Sequence, residues 1–218
     1  MEAEWDPRDP LGEMLFIKSI REKTGFPTVA IAQAWLDRED CAAVLEAQAA
    51  HSFVRGIRHK PKPGQMDDPR WRSGYARLAA LGLHFELQAP WRQLEEAARL
   101  ARDFPDAVIV LNHAGLPSDD ALPEWKAALS GLAASPNTAI KISGLGNVQR
   151  KREVVLSAIE LFGAERAMFA SNFPVDSLRH TFSQIFSEFE TITRALPEAE
   201  RRALFHDNAV RIYRMEQR

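Results

Sequence analysis

The 218-residue sequence has a single cysteine, Cys41. No internal disulfide framework can form, and so sparing a use of thiol fits a reducing compartment. No apolar run is long enough to span a bilayer, and the opening residues MEAEWDPRDP are acidic and contain no apolar signal segment. An excess of one charge is also missing, since 28 basic side chains stand against 30 acidic ones for a net charge of −2. The run RGIRHKPKP is too short and isolated to form a nucleic-acid face. These absences predict a cytoplasmic protein with neither a membrane nor a nucleic-acid partner. Several reaction signatures are missing too: a glycine-rich phosphate cradle, G-x-S-x-G, H-E-x-x-H and C-x-x-C.

What the chain does contain is alternation. Short apolar runs recur at 28–35, 53–58, 84–88, 107–112, 138–143 and 167–171. Between them lie amphipathic stretches such as PRWRSGYARLAALG and PWRQLEEAARLARDF, whose apolar residues recur at three and four and form one buried stripe on a helix. Gly25, Gly82 and Gly163 stand where helices should stop, and Asp37 where one should start. A repeated strand-then-helix order requires parallel strands joined by right-handed crossovers. Either an open doubly wound sheet or a closed (β/α)₈ barrel satisfies it.

Strand parity favours the barrel. Ala30, Ala32 and Ala34, Glu86 and Gln88, and Ala139, Lys141 and Ser143 alternate with bulky apolar neighbours. A sheet covered on both faces should be apolar on both, whereas a barrel has a separate interior that can hold polar groups. Glu86 and Lys141 share the inward parity on alternate strands, which predicts a buried ion pair bracing the barrel. Six strands are visible, and MEAEW could be the tail of a seventh, so the barrel is expected to be incomplete. Without repeats, low-complexity tracts or linkers, residues 1–218 are expected to form one domain.

In such a barrel the active site lies at the C-terminal strand ends. Those ends carry Gln33 and Trp35, Arg58 and His59, Gln88, Asn112 and His113, Ser143, and Asn172 with Asp176. His113 can be a metal ligand or a general acid/base, or a turn residue bonded to local backbone. Arg58 suits a substrate carboxylate, because its planar fork donates two parallel hydrogen bonds, or it is a solvated loop cation like Lys60 and Lys62. His59 divides between the same two readings. Asn172 can donate and accept hydrogen bonds but is no general base. Asp176 could serve as the base, or as the N-cap of the helix that follows.

Taken in order, VRGIRH, FELQ, VLNHAGLP, IKISGL, MFASNFPVD and NAVRIYR resemble the amidohydrolase superfamily. The similarity is to its amidohydrolase-related branch of sugar-lactone and 2-pyrone-4,6-dicarboxylate lactone hydrolases. The resemblance implies a TIM barrel that hydrolyses a small carboxylated lactone. Related branches decarboxylate aromatic acids, some members using zinc or manganese and others no metal. By the same resemblance His113 is a metal ligand or substrate-polarising group, and Arg58 contacts the substrate carboxylate. Gln88 stands where metal-rich members have histidine, and Asn172 where the family usually has aspartate. His59 and Ser143 join the substrate-binding set, and Asp176 is a reserve for activating water.

The family's H-x-H motif on the first strand is missing here. The first strand and most of the second are therefore expected upstream of Met1. Only His113 would then remain of the usual ligands, so no cofactor is expected in this form, with zinc or manganese in a longer parent. Two open edges predict a homo-oligomer. The leading expectation is a metal-independent or weakly metal-dependent lactone hydrolase. A metal-dependent decarboxylase and a degenerate, non-catalytic ligand-binding barrel are the alternatives.

Overall fold

The computed structural model describes residues 6–146 and 148–215. Its elements run α1 (Gly12–Thr24), β1 (Ala30–Gln33), α2 (Cys41–Ala49), β2 (Val54–His59), α3 (Pro69–Ala80), β3 (His84–Leu87) and α4 (Leu94–Asp103). They continue with β4 (Ile109–Leu111), α5 (Leu122–Ala133), β5 (Thr138–Ile142), α6 (Lys151–Phe162), β6 (Ala167–Phe169) and α7 (Phe182–Thr193). Two short helices, α8 (Glu198–Arg202) and α9 (Asn208–Ile212), follow. Each of the six predicted apolar runs holds one strand, with β2 extending one residue beyond its run to His59. The possible strand tail MEAEW lies outside the described residues. No described helix is long and apolar enough to cross a membrane.

All strand pairs are parallel, and their order in the sheet is the order in the chain, β1 to β6. That order decides the architecture. A doubly wound sheet must reverse at a switch point, whereas sequential right-handed crossovers put every helix on one face, as in a barrel wall. The two faces accordingly build two separate cores. Ile57, Phe85, Leu87, Ile109, Ile140 and Ile142 pack outward into the large core shared with helix residues such as Trp71, Leu78, Trp125 and Leu129. Val110, Ala139 and Met168 point inward and meet Ile212 and Tyr213. The fold is the predicted TIM-type α/β barrel, with six strands among the described residues.

The C-terminal segment fills the barrel interior. Arg55 Nε donates to the Tyr213 carbonyl at 2.9 Å, and Arg214 Nη2 donates to the Gly82 carbonyl at 2.9 Å. Both contacts lie at the N-terminal ends of β2 and β3, so the segment plugs the end opposite the expected site. Tyr213 also reaches inward, where its hydroxyl donates to Glu86 Oε1 at 2.6 Å. Lys141 Nζ donates to Glu86 Oε2 at 2.8 Å, which is the ion pair expected from strand parity.

Three expectations need correction. On β1 the inward face is the reverse of the one predicted: Ala30, Ala32 and Ala34 lie in the outer core, and Ile31 packs on the inner cluster. Ile212 and Tyr213 make that part of the interior apolar, so a bulky side chain gains partners there. Asp176 does not cap α7. Thr181 does, accepting from the Gln184 amide at 3.2 Å while Gln184 Oε1 accepts from the Thr181 amide at 2.8 Å. Gly25 and Gly163 end α1 and α6 at positive φ as expected, and α2 starts at Cys41, a few residues beyond Asp37.

Glu86 is 1% exposed, so removing its cationic partner leaves a charge buried with little compensation. Lys141→Met is expected to lower the unfolding free energy by about 3 kcal/mol. Glu86→Gln in the same chain should recover part of that loss, as measured by urea denaturation.

Candidate active site

The C-terminal ends of the strands surround a cavity of about 170 Å³ whose polar lining includes Arg58, Asn112, His113, Lys141, Ser143 and Asn172. His113 follows β4 in a tight turn that departs from ordinary backbone geometry. His113 and Ala114 have φ of 53° and 49°, and Leu116 has 54°. Left-handed backbone at non-glycine residues costs on the order of 1–3 kcal/mol each, so the surroundings must hold the turn in place. Trp125, fully buried on α5, does so by donating its indole N–H to the Ala114 carbonyl at 2.7 Å. The turn brings His113 Nδ1 to 2.9 Å from Ser143 Oγ, just beyond β5.

Gly144 makes that approach possible. Its φ is +65°, and a Cβ there would stand 2.9 Å from His113 Nδ1 and 3.3 Å from Asn172 Nδ2. Asn172 itself has a φ of 53°. Its Nδ2 donates to Asp176 Oδ1 at 2.9 Å, which fixes the amide orientation, because the oxygen cannot face a carboxylate. Asn172 Oδ1 is thereby turned away from Asp176; it is buried and accepts no hydrogen bond among the described residues.

The structure thus brings Arg58, His113, Ser143 and Asn172 to one cavity and leaves three other expected residues at its margins. Asp176 acts on the cavity only through Asn172. His59 lines a neighbouring cavity with Gln33, Trp35 and Asp37, which meets the first at Arg58. His59 Nδ1 accepts the Trp71 indole N–H at 3.0 Å, and burial pushes its pKa down to about 4. Gln88 lies beside it, its amide N–H directed at the His59 carbonyl at 3.4 Å, and lines neither cavity. Sequence reasoning assigned Lys141 only to the ion pair, yet it also lines the cavity. It also missed Glu13, a buried carboxyl on α1 whose pKa is pushed up by burial against the pull of Arg58. Glu13 reads as an ordinary first-turn acid, so nothing in its local sequence marks it.

A family model described as amidohydrolase matches residues 15–215. This chain belongs to the amidohydrolase family. The y4mH protein of Sinorhizobium fredii is 38% identical over 99% of this amidohydrolase and 79% of its own length. An L-fucono-1,5-lactonase of Burkholderia multivorans is 29% identical, over 85% of this chain and 71% of its own. Among solved structures, a zinc-bound amidohydrolase from Burkholderia multivorans superposes with a TM-score of 0.85 at 26% identity, covering 94% of this chain and 80% of that one.

Zinc does not fit the described residues of this family member. His113 is the one imidazole lining the cavity, and its Nδ1 is engaged by Ser143. The remaining polar groups are amides, two hydroxyls, cations and the single carboxylate of Glu86, which is already bonded to Lys141 and Tyr213, and no three His, Cys, Asp or Glu side chains converge among the described residues. A zinc site needs three or four imidazole, thiolate or carboxylate ligands.

Two outcomes follow from this geometry. His59 binds a proton near pH 6.5 when unfolded and only near pH 4 when folded, so the unfolded state holds more protons between those values. Stability should therefore be intact above about pH 6.5 and fall as the pH drops towards 4. His84, whose pKa burial also lowers to about 4, adds to the effect. Thermal midpoints across that range should show a shallower slope in His59→Gln. Separately, Asn172→Asp would set a second carboxylate against Asp176. Its thermal midpoint should fall more at pH 7 than at pH 4, and Asp176→Asn in the same chain should restore it.

Proposed function

We propose that this amidohydrolase hydrolyses a small cyclic ester that carries a carboxylate, using its own side chains with little or no dependence on metal. The observation that carries this reading is the meeting of two cations, Arg58 and Lys141, with the bonded His113–Ser143 pair in one cavity at the strand ends. The likeness to an L-fucono-1,5-lactonase supports the ester chemistry.

Arg58, held on β2, grips the carboxylate of the substrate through its planar fork. His113, bonded to Ser143 through Nδ1, serves as the general base. It takes a proton from water as the water oxygen bonds to the lactone carbonyl carbon. The ring C–O bond then breaks, and the imidazolium returns the proton to the leaving alkoxide, giving an open hydroxy acid. In this reading Lys141, on the cavity wall, supplies positive charge to the oxyanion, and the Asn172 amide oxygen, aimed by Asp176, accepts from the attacking water. His59 and Gln88 act as supports in the neighbouring wall.

A non-catalytic ligand-binding barrel is the second reading. It is favoured by one observation: position 172 carries an amide, fixed to Asp176, where a base would stand.

A panel of carboxylated γ- and δ-lactones separates the two. His113→Asn should lower kcat/KM by about 100-fold or more, the range for loss of a general acid/base. Arg58→Gln should raise KM for carboxylated lactones far more than for uncharged ones. Binding of the hydroxy acids without turnover of any lactone would favour the ligand-binding barrel. An unchanged rate in His113→Asn would overturn the mechanism.

A further inference from the structure

The cavity floor is polar, but its rim is not. Phe173 follows Asn172 directly, lines the cavity and leaves 37% of its surface exposed. Its ring meets that of Phe182 edge-on, with centroids 5.7 Å apart, and Phe182 is 53% exposed. Phe182 in turn rests on Phe186, centroids 4.8 Å apart, which anchors the rim to α7. Between the first two phenylalanines in the chain, Val175 and Leu178 are 51% and 88% exposed. Large apolar side chains scattered singly over a surface need no explanation, but a group gathered in ten residues beside a cavity marks a contact surface.

Phe173 identifies what covers this surface, because it belongs to the cavity wall and to the rim at once. The cavity is also smaller than the several hundred Å³ usual for pockets that enclose a whole ligand. A lactone ring seated on Arg58 and His113 therefore has two ways out for a substituent: past Arg58 into the neighbouring cavity, which holds Asp37, Lys60 and Lys62, or across Phe173 onto the apolar rim.

We propose that the substrate bears an aryl group, which lies on Phe173 and Phe182 while its carboxylated lactone ring occupies the polar floor. This rests on the hydrolase reading above and narrows its substrate from any small carboxylated lactone to an amphipathic one. The rim withdraws apolar area from water without touching the reacting atoms, so it acts on binding and leaves the chemical step alone.

The test uses matched carboxylated lactones that differ only in a phenyl or a hydroxymethyl substituent. The intact protein should favour the phenyl compound by about tenfold or more in kcat/KM, with the difference in KM. The combined substitution Leu178→Ser and Phe182→Ser should bring that ratio towards one. Equal handling of the two lactones, or a ratio that the folded variant leaves unchanged, would overturn the proposal. Calorimetric binding of the two ring-opened acids gives an answer that needs no turnover. If neither lactone is hydrolysed, the hydrolase reading fails, yet tighter binding of the phenyl acid still supports the aryl site, and equal or no binding overturns it. A variant that changes the sedimentation coefficient of the protein without changing the binding ratio assigns the rim to a second copy and also overturns it.

Discussion

A carboxylate inside the barrel organises this molecule. Glu86, 1% exposed, accepts from Lys141 on β5 and from Tyr213 just beyond α9. A buried charge survives only when paired and hydrogen-bonded, so strands two apart in the sheet and the end of the chain are held to a common point. Burial and the neighbouring carboxylate push the Tyr213 hydroxyl well above its usual pKa, which keeps it a donor. The same Lys141 also lines the cavity, so the brace and the site share one side chain.

Around that brace the site is built from backbone that ordinary elements avoid. The turn after β4 and the stretch after β6 both place non-glycine residues at positive φ, His113, Ala114 and Leu116 in the first and Asn172 in the second, and Gly144 supplies the clearance between them. Such geometry is maintained by packing from outside the turn, chiefly the Trp125 bond to Ala114. The amide at 172 and its bond to Asp176 alter the chemistry available. A neutral group with one aimed oxygen stands there, and in the mechanism proposed above proton transfer falls to His113.

Much of this was legible beforehand, and the failures have physical causes. Each strand coincides with a predicted apolar run, β2 passing its end by one residue, because a buried parallel strand needs continuous apolar residues. The Glu86–Lys141 pair could be foreseen because strand parity and the layering of alternate strands in a barrel are both simple periodicities. On β1 the same argument failed. Parity states that two faces differ but not which is inner, and Ile31 faces inward because Ile212 and Tyr213, some 180 residues away in the chain, wait there. Asp176 resembled a cap because Asp before a helix often is one, but the chain makes a further turn first and Thr181 takes that place. Gln88 stands at a strand end as expected, yet it lines neither cavity, since position along a strand says nothing of where the side chain goes after the strand has ended.

Local periodicity and composition were enough to determine the alternation of strands and helices, the barrel class, the strand ends that carry polar groups and the family resemblance. Each depends on residues only a few positions apart, or on segments whose order in the chain repeats their order in the sheet. The tertiary structure alone decided that His113 bonds Ser143, that Asp176 aims Asn172, and that Phe173 continues the cavity into an apolar rim. Those contacts arise where turns of unusual backbone meet side chains from other elements, and no short-range pattern encodes such a meeting.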